Sequence, residues 1–187
     1  MGAYAIRVFG DPVLRRRAAE IDNVDGAVVK LAEGMIEAMY AAPGIGLAAP
    51  QVGVQKRMFV YDLHDGAGAK VVVNPVISEV SGEWEYEEGC LSVPGLSWDI
   101  VRPKLIHLQG FDLDGNEVSI EADELQARMY QHELDHLDGT LLLDRLDEDR
   151  RKDALKLLRQ RIIEATEPEK LTATPESRFG LRLPGLR

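Results

Sequence analysis

The chain has 187 residues, a net charge of −10 and a single cysteine, Cys90. This length is enough for one domain with a buried core. The acidic balance argues against general nucleic-acid binding, so we expect no specific DNA partner. No apolar run approaches the ~20 residues that span a membrane, and the first residues lack the layout of a signal peptide. We therefore expect a cytoplasmic protein with no membrane contact and no intrachain disulfide.

The first regular segment is a helix followed by a glycine-rich stretch. From about Gly26 to Ala41, apolar residues recur at steps of three and four, which predicts an amphipathic helix. Residues 44–53 are then small and uncharged, and Gln51 is their one polar side chain. A tightly packed turn is one interpretation. We favour a functional loop, because one amide donor in an apolar loop suits orienting a carbonyl or an oxyanion.

Short β-rich segments fill the middle of the chain and are separated by turn residues. We predict three pairs of neighbouring strands: 57–63 with 70–73, 76–80 with 83–87, and 104–111 with 117–121. Asp123 is predicted to cap the helix that follows, and Asp147 a final helix to about Ala165. The pattern predicts an α+β fold, with short antiparallel sheets packed around a central helix and a C-terminal helix beside them.

The chain is predicted to form one domain over residues 1–165, followed by a poorly ordered tail over residues 166–187. Its charge is uneven: residues 1–144 carry 11 Lys/Arg and 24 Asp/Glu, whereas residues 145–187 carry 11 Lys/Arg and 8 Asp/Glu. The basic C-terminal helix could contact an acidic partner such as ribosomal RNA. From charge alone we favour the simpler interpretation of a solvated helix face.

The central helix carries the sequence His-Glu-Leu-Asp-His at residues 132–136. Residues four apart lie on one face of a helix, so His132 and His136 can aim their imidazoles at one point. Two neutral imidazoles begin a transition-metal site. Glu133 is offset around the helix, where it can act as a general base on a metal-bound water.

A catalytic metal usually needs a third protein ligand, and several candidates are possible. A metzincin site requires histidine where this chain has Leu142, so that class is excluded. Glu148 and Glu164 are possible third ligands of a thermolysin-like site, although neither lies in a recognisable motif. Cys90, between a glycine and a turn sequence, is the candidate we favour. One thiolate with two imidazoles suits Fe(II), Zn(II), Ni(II) or Co(II).

Three stretches together resemble the motifs of bacterial peptide deformylases, in the same order and at similar separations: 44–51 (GIGLAAPQ), 88–92 (EGCLS) and 131–136 (QHELDH). The resemblance extends over about residues 5–160. It implies a metal-dependent hydrolase that removes the N-formyl group from the initiator methionine of new polypeptides. It also implies Fe(II) as the native metal, with Zn, Ni or Co as working substitutes.

The resemblance also implies roles for individual residues. The metal ligands would be Cys90, His132 and His136, with water as the fourth. Glu133 would take a proton from this water and pass it to the leaving amine. Gln51 and the backbone N–H of Leu91 would hold the oxyanion.

Other positions would bind the substrate or orient the ligands. The backbone of Ile45 and Gly46 would align the substrate as an added strand. The remaining substrate-binding positions would be Gly89, Leu125 and Met129, the last two bordering the methionine pocket with Ile45. Glu88 and Asp135 would accept N–H groups of the metal-bound histidines.

Two residues depart from the family pattern. Arg128 stands where an apolar residue commonly lies beside the pocket, and we expect it either to extend outward or to touch substrate. The second lies in the stretch 94–99, which differs from some members of the family. Trp98 in this stretch is expected either to shape the entrance or to pack in the core. Two other functions remain open alternatives: a metalloprotease that cleaves unformylated peptides, and a non-enzymatic metal- or ribosome-binding module with a closed site.

Overall fold

The computed structural model describes residues 4–166. Ten regular elements follow one another: α1 (Gly26–Ala41), β1 (Gly46–Ala48), β2 (Met58–Tyr61), β3 (Lys70–Ser81), β4 (Trp84–Cys90), β5 (Val93–Arg102), β6 (Leu105–Phe111), β7 (Glu117–Asp123), α2 (Glu124–Leu137) and α3 (Glu148–Thr166). The predicted α+β class is confirmed. Of the predicted tail, only Thr166 is described, so that prediction lies outside the described residues.

The strands form two antiparallel sheets. One has five strands in the order β1-β2-β3-β6-β7, and the other is the hairpin β4-β5. The predicted pairing of residues 76–80 with 83–87 is wrong, because β3 pairs with β6 and β4 pairs with β5. The predicted segments 70–73 and 76–80 are one strand, interrupted by a bulge where Asn74 has a φ of 49°. The side chain of Asn74 stabilises the bulge by hydrogen bonding both backbone groups of Ile21.

The five-stranded sheet lies between helices α1 and α2. All four residues of the short strand β2 are buried, because both faces of the strand are covered. Met58 and Val60 pack with α1, whereas Phe59 and Tyr61 point to the opposite face and pack with α2. A third apolar cluster joins the β4-β5 hairpin to α3 and the turn before it. Helix α2 is therefore central, as the sequence predicts.

The ends of the helices explain where they begin and stop. The Asp25 carboxylate accepts hydrogen bonds from two backbone N–H groups at the start of α1. Asp147 caps α3 as predicted, through the N–H of Arg150 at 2.9 Å. Asp123 occupies the N-cap position of α2, but its side chain makes no capping hydrogen bond, so that part of the prediction is wrong. After α2, Gly139 has a φ of 74°, and a Cβ there would lie 2.8 Å from the carbonyl oxygen of Arg15.

None of the helices over residues 4–166 is both long enough and apolar enough to span a membrane.

Candidate metal centre and active site

The three favoured metal ligands converge although they come from two elements. Cys90 is the last residue of β4, and His132 and His136 lie one turn apart on α2. Their ligand atoms all lie within 4.8 Å of one another, and the Cys90 Sγ is 3.2 Å from the His136 Nε2. Within residues 4–166 this is the one such group of potential ligands. Glu148 is exposed at the start of α3 and lies outside it.

The imidazole of His132 is oriented by Glu88. Its Nδ1 lies 2.6 Å from the Glu88 Oε1, which leaves Nε2 as the nitrogen available to a cation. Burial opposes ionisation of Glu88, but hydrogen bonds from Arg102 and His132 hold its pKa well below the ordinary value. Glu88 is therefore a carboxylate acceptor for the imidazole N–H, as the resemblance implies.

The environment of Cys90 favours a thiolate. Burial alone would raise the pKa of the thiol, but the imidazoles of His136 and His132 hold it well below its usual value. The backbone N–H of Ser92 also points at the sulfur, at 3.4 Å. A deprotonated sulfur beside two imidazoles is the form that binds a soft divalent cation.

The amide of Gln51 has a fixed orientation. Its Oε1 accepts a hydrogen bond from the N–H of Ala48 at 2.8 Å. Its Nε2 therefore points the other way, towards the Ser92 Oγ at 3.2 Å and the Cys90 Sγ at 3.9 Å. The side chain is 1% exposed. The glycine-rich stretch thus places one N–H donor beside the ligand cluster.

Glu133 is buried against β1. A Cβ atom added to Gly46 would lie 2.5 Å from the Glu133 Oε1, so only glycine leaves room for this carboxyl group. Burial raises the pKa of Glu133 to about 7, although the nearby imidazoles of His132 and His136 oppose this. Its Oε2 has no hydrogen-bond partner among the described residues. A carboxyl group with this pKa can both accept and return a proton near neutral pH.

These side chains open onto one cavity of about 660 Å³. The five predicted substrate-binding residues all line it: Ile45, Gly46, Gly89, Leu125 and Met129. It is also lined by Gln51, Cys90, Leu91, His132 and Glu133. The side chain of His136 is 1% exposed and lies behind this surface. The structure therefore brings the predicted residues together around one opening.

Arg128, Trp98 and Asp135 have three different outcomes. Arg128 is only 3% exposed, so the expectation that it extends outward is wrong. It lines the cavity, and contact with substrate stays a prediction. Trp98 packs with the apolar cluster beneath the hairpin and is absent from the cavity wall, which favours its core interpretation. Asp135 accepts a hydrogen bond from Arg145 and forms an ion pair with Arg102, so it is linked to His132 only through Arg102 and Glu88.

Sequence reasoning missed Arg102 and Ser92. Arg102 donates two hydrogen bonds to Glu88, at 2.8 and 2.7 Å, and forms an ion pair with Asp135 at 2.9 Å. It does so from the far end of β5, a strand that the sequence pattern did not predict. Ser92 contacts both Gln51 and Cys90. Its position two residues after the cysteine was the available signal.

The sequence model of the polypeptide deformylase family matches residues 3–152. The chain belongs to this family. It is 45% identical over 160 residues to a peptide deformylase of Acidothermus cellulolyticus, which covers 86% of this chain and 88% of that protein. It is 46% identical over 145 residues to a peptide deformylase of Clostridium botulinum, covering 78% and 97%.

The fold comparison agrees with the family assignment. The crystal structure of a peptide deformylase from Legionella pneumophila matches with a TM-score of 0.83 at 37% identity, covering 89% of this chain and 100% of that one. The three stretches that carry the resemblance, 44–51, 88–92 and 131–136, all lie inside the residues matched by the deformylase family. The resemblance stated from the sequence is confirmed.

Proposed function

We propose that the chain hydrolyses the N-formyl amide of N-formylmethionyl nascent peptides and releases formate. Membership of the deformylase family supports this activity, and it does not favour the alternative of a metalloprotease that cleaves unformylated peptides. The observation that carries the proposal is the convergence of Cys90, His132 and His136 within 4.8 Å, in a cavity that also holds the buried carboxyl group of Glu133.

The residues fit a divalent metal ion. The surroundings of Cys90 favour its thiolate form. Glu88 engages the Nδ1 of His132, which leaves the Nε2 available to bind a cation. The Glu133 Oε2 is buried without a partner among the described residues, as expected where a bound group completes a site. The donor set suits Fe(II), the expected native metal, and also Zn, Ni or Co. When bound, the cation supplies a Lewis acid that activates water at neutral pH.

Glu133 would move the proton. It accepts one proton from the water that attacks the formyl carbon, and it delivers this proton to the amine as the C–N bond breaks. The products are formate and a free amino terminus. Its pKa of about 7 suits this exchange, because a group titrating near the working pH serves well as both base and acid.

Gln51 and Leu91 would hold the charge that develops on the formyl oxygen. The Gln51 Nε2 is fixed in place, because its Oε1 is engaged by the N–H of Ala48. Leu91 follows Cys90 directly, and its backbone N–H would supply the second donor. Donors that are already oriented need no reorganisation as charge develops, which is the basis of oxyanion stabilisation.

The substrate would add to the open edge of β1. The carbonyl of Ile45 accepts a hydrogen bond from Asp62, on the β2 side. In an antiparallel pair, the next residue turns its N–H and C=O to the opposite side, so those of Gly46 face the open edge. An extended peptide would pair there. Its methionine side chain would enter the pocket bordered by Ile45, Leu125 and Met129.

We also propose where the enzyme works and what it contacts. Its substrates emerge from ribosomes, so the reaction belongs in the cytoplasm, and a single catalytic domain over residues 1–165 would carry it. Helix α3 exposes six basic side chains over residues 150–161. Arg151, Lys152 and Lys156 form ion pairs with acidic neighbours, which locally offset these three positive charges. The remaining positive charge is what would contact the ribosome.

The deciding experiment is formate release from a short formyl-methionyl peptide, measured without oxygen on metal-loaded protein. The same peptide without the formyl group serves as the protease control. We expect rapid formate release and an intact control peptide. Cleavage of the control without formate would support the protease. If protein that holds metal reacts with neither peptide, the deformylase and the protease proposals are both contradicted, and a binding module is favoured.

A further inference from the structure

Arg128 is a buried cation whose partners all lie on the β4-β5 hairpin. Its Nη1 donates to the Glu88 Oε2 at 2.8 Å. Its Nη2 donates to the carbonyl oxygens of Trp84, at 2.6 Å, and Ile100, at 2.9 Å. The guanidinium carbon also lies 5.0 Å from the centre of the Trp84 ring. One side chain of α2 thus hydrogen bonds twice with β4 and once with β5.

Glu88 divides its two oxygens between different partners. Its Oε1 faces the Nδ1 of His132 and an N–H of Arg102. Its Oε2 accepts from Arg128 and from the Nε of Arg102. The two arginines therefore restrict rotation of the carboxylate, and the oxygen that orients the imidazole stays in place. Arg128 lies one helical turn before His132, so it acts on Glu88 from the same face of α2.

The metal ligands come from the two elements that Arg128 joins. Cys90 ends β4, whereas His132 and His136 belong to α2. The position of the sulfur relative to the imidazoles therefore depends on how the hairpin is held against the helix. Arg128 fastens the hairpin at the end opposite Cys90, since Trp84 begins β4. No other described side chain of α2 is shown hydrogen bonding the backbone of both hairpin strands.

We propose that Arg128 is a positioning residue for the metal centre: it fixes Glu88, and through it His132, and it holds the Cys90 hairpin at the correct distance. This role rests on the metal centre of the proposed function. Residues that support metal ligands typically change metal affinity 10–100-fold when they are removed. Lysine is a poor substitute, because one ammonium group lacks the planar set of donors that Arg128 uses on three acceptors at once.

The test is Co(II) binding to the full chain, compared for the parent, Arg128→Met, Arg128→Lys and Arg57→Met. Arg57 is a matched control: it is also buried and pairs with Asp138 at the end of α2, at 2.7 Å, but contacts no metal ligand. Measurements are the Co(II) dissociation constant, the rate of metal transfer to a chelator and the sulfur-to-cobalt absorption band. Circular dichroism establishes that each variant is folded.

We expect Arg128→Met to weaken Co(II) binding on the order of 10–100-fold and to shift the absorption band. Arg128→Lys should fall between it and the parent, and it supplies the test if the methionine variant is unfolded. Parent-like binding in a folded Arg128 variant would overturn the proposal, and so would equal weakening in Arg57→Met. If the parent chain binds no Co(II), the proposed metal centre is contradicted, and the role of Arg128 with it. If the parent binds Co(II) normally but releases no formate, only the proposed reaction is contradicted.

Discussion

Gly46 lies so close to the carboxyl group of Glu133 that a methyl group on residue 46 would clash with it. A Cβ on Gly46 would meet the Glu133 Oε1 at 2.5 Å and its carboxyl carbon at 3.0 Å. Strand β1, the proposed docking edge for substrate, therefore also forms the wall behind the proposed general base. In the proposed mechanism, substrate alignment and proton transfer would therefore depend on the same backbone position.

The first prediction is that Gly46→Ala lowers the rate of formate release by about 10²-fold, because displacement of a catalytic group by about 1 Å has effects of that size. Metal content should stay at the parent level, since no ligand is touched. Gly26→Ala is the matched control: a Cβ there meets nothing within 4 Å, and it should keep full activity. A fully active Gly46→Ala variant would contradict the proposed position of Glu133.

The second prediction concerns Glu133→Gln, which keeps the shape of the side chain but removes its proton acceptor. We expect kcat to fall about 10²- to 10⁴-fold, the usual contribution of general acid–base catalysis. The metal should be retained, because Glu133 is outside the ligand cluster. Steady-state kinetics and metal analysis on the same sample would measure both effects. Near-normal turnover would rule out Glu133 as the general base.

Local patterns made much of the site predictable from sequence. His132 and His136 meet because helical periodicity places residues four apart on one face, and this needs no knowledge of the rest of the fold. Different signals indicate the other two: Gln51 is the one polar side chain of an uncharged stretch, and Cys90 is the single cysteine, between a glycine and a turn sequence. The resemblance to the family then linked them in three dimensions.

Strand pairing was less predictable, because it depends on contacts between distant residues. The turn at Ser81-Gly82 suggested a hairpin, yet β3 pairs with β6 and the chain passes into a separate sheet. The second and third residues of strand β5 are Pro94 and Gly95, which usually break strands, so the strand was missed. Arg102 was missed with it. The burial of Arg128 follows from this hairpin, and no local pattern could have indicated it.

The third prediction is that Gln51→Leu lowers kcat about 10²- to 10³-fold, the effect of losing one oxyanion donor. Leucine keeps most of the buried volume but removes the Nε2 donor beside Cys90. Ser92→Ala is the matched control. It removes the hydroxyl group that accepts a hydrogen bond from the Gln51 Nε2, while the hydrogen bond from the N–H of Ala48 still fixes the Gln51 amide. We expect a much smaller effect from it. Equal rates for Gln51→Leu and the parent would exclude Gln51 from oxyanion stabilisation.

The fourth prediction concerns the thiolate. Cys90→Ala should lose metal or bind it much more weakly, because two imidazoles alone leave a catalytic site one protein ligand short. In the parent, a chelator should abolish formate release, and added Fe(II), Ni(II) or Co(II) should restore it without oxygen. Metal analysis after gel filtration measures the first effect, and activity after reloading measures the second. Unchanged metal content in Cys90→Ala would remove Cys90 from the ligand set.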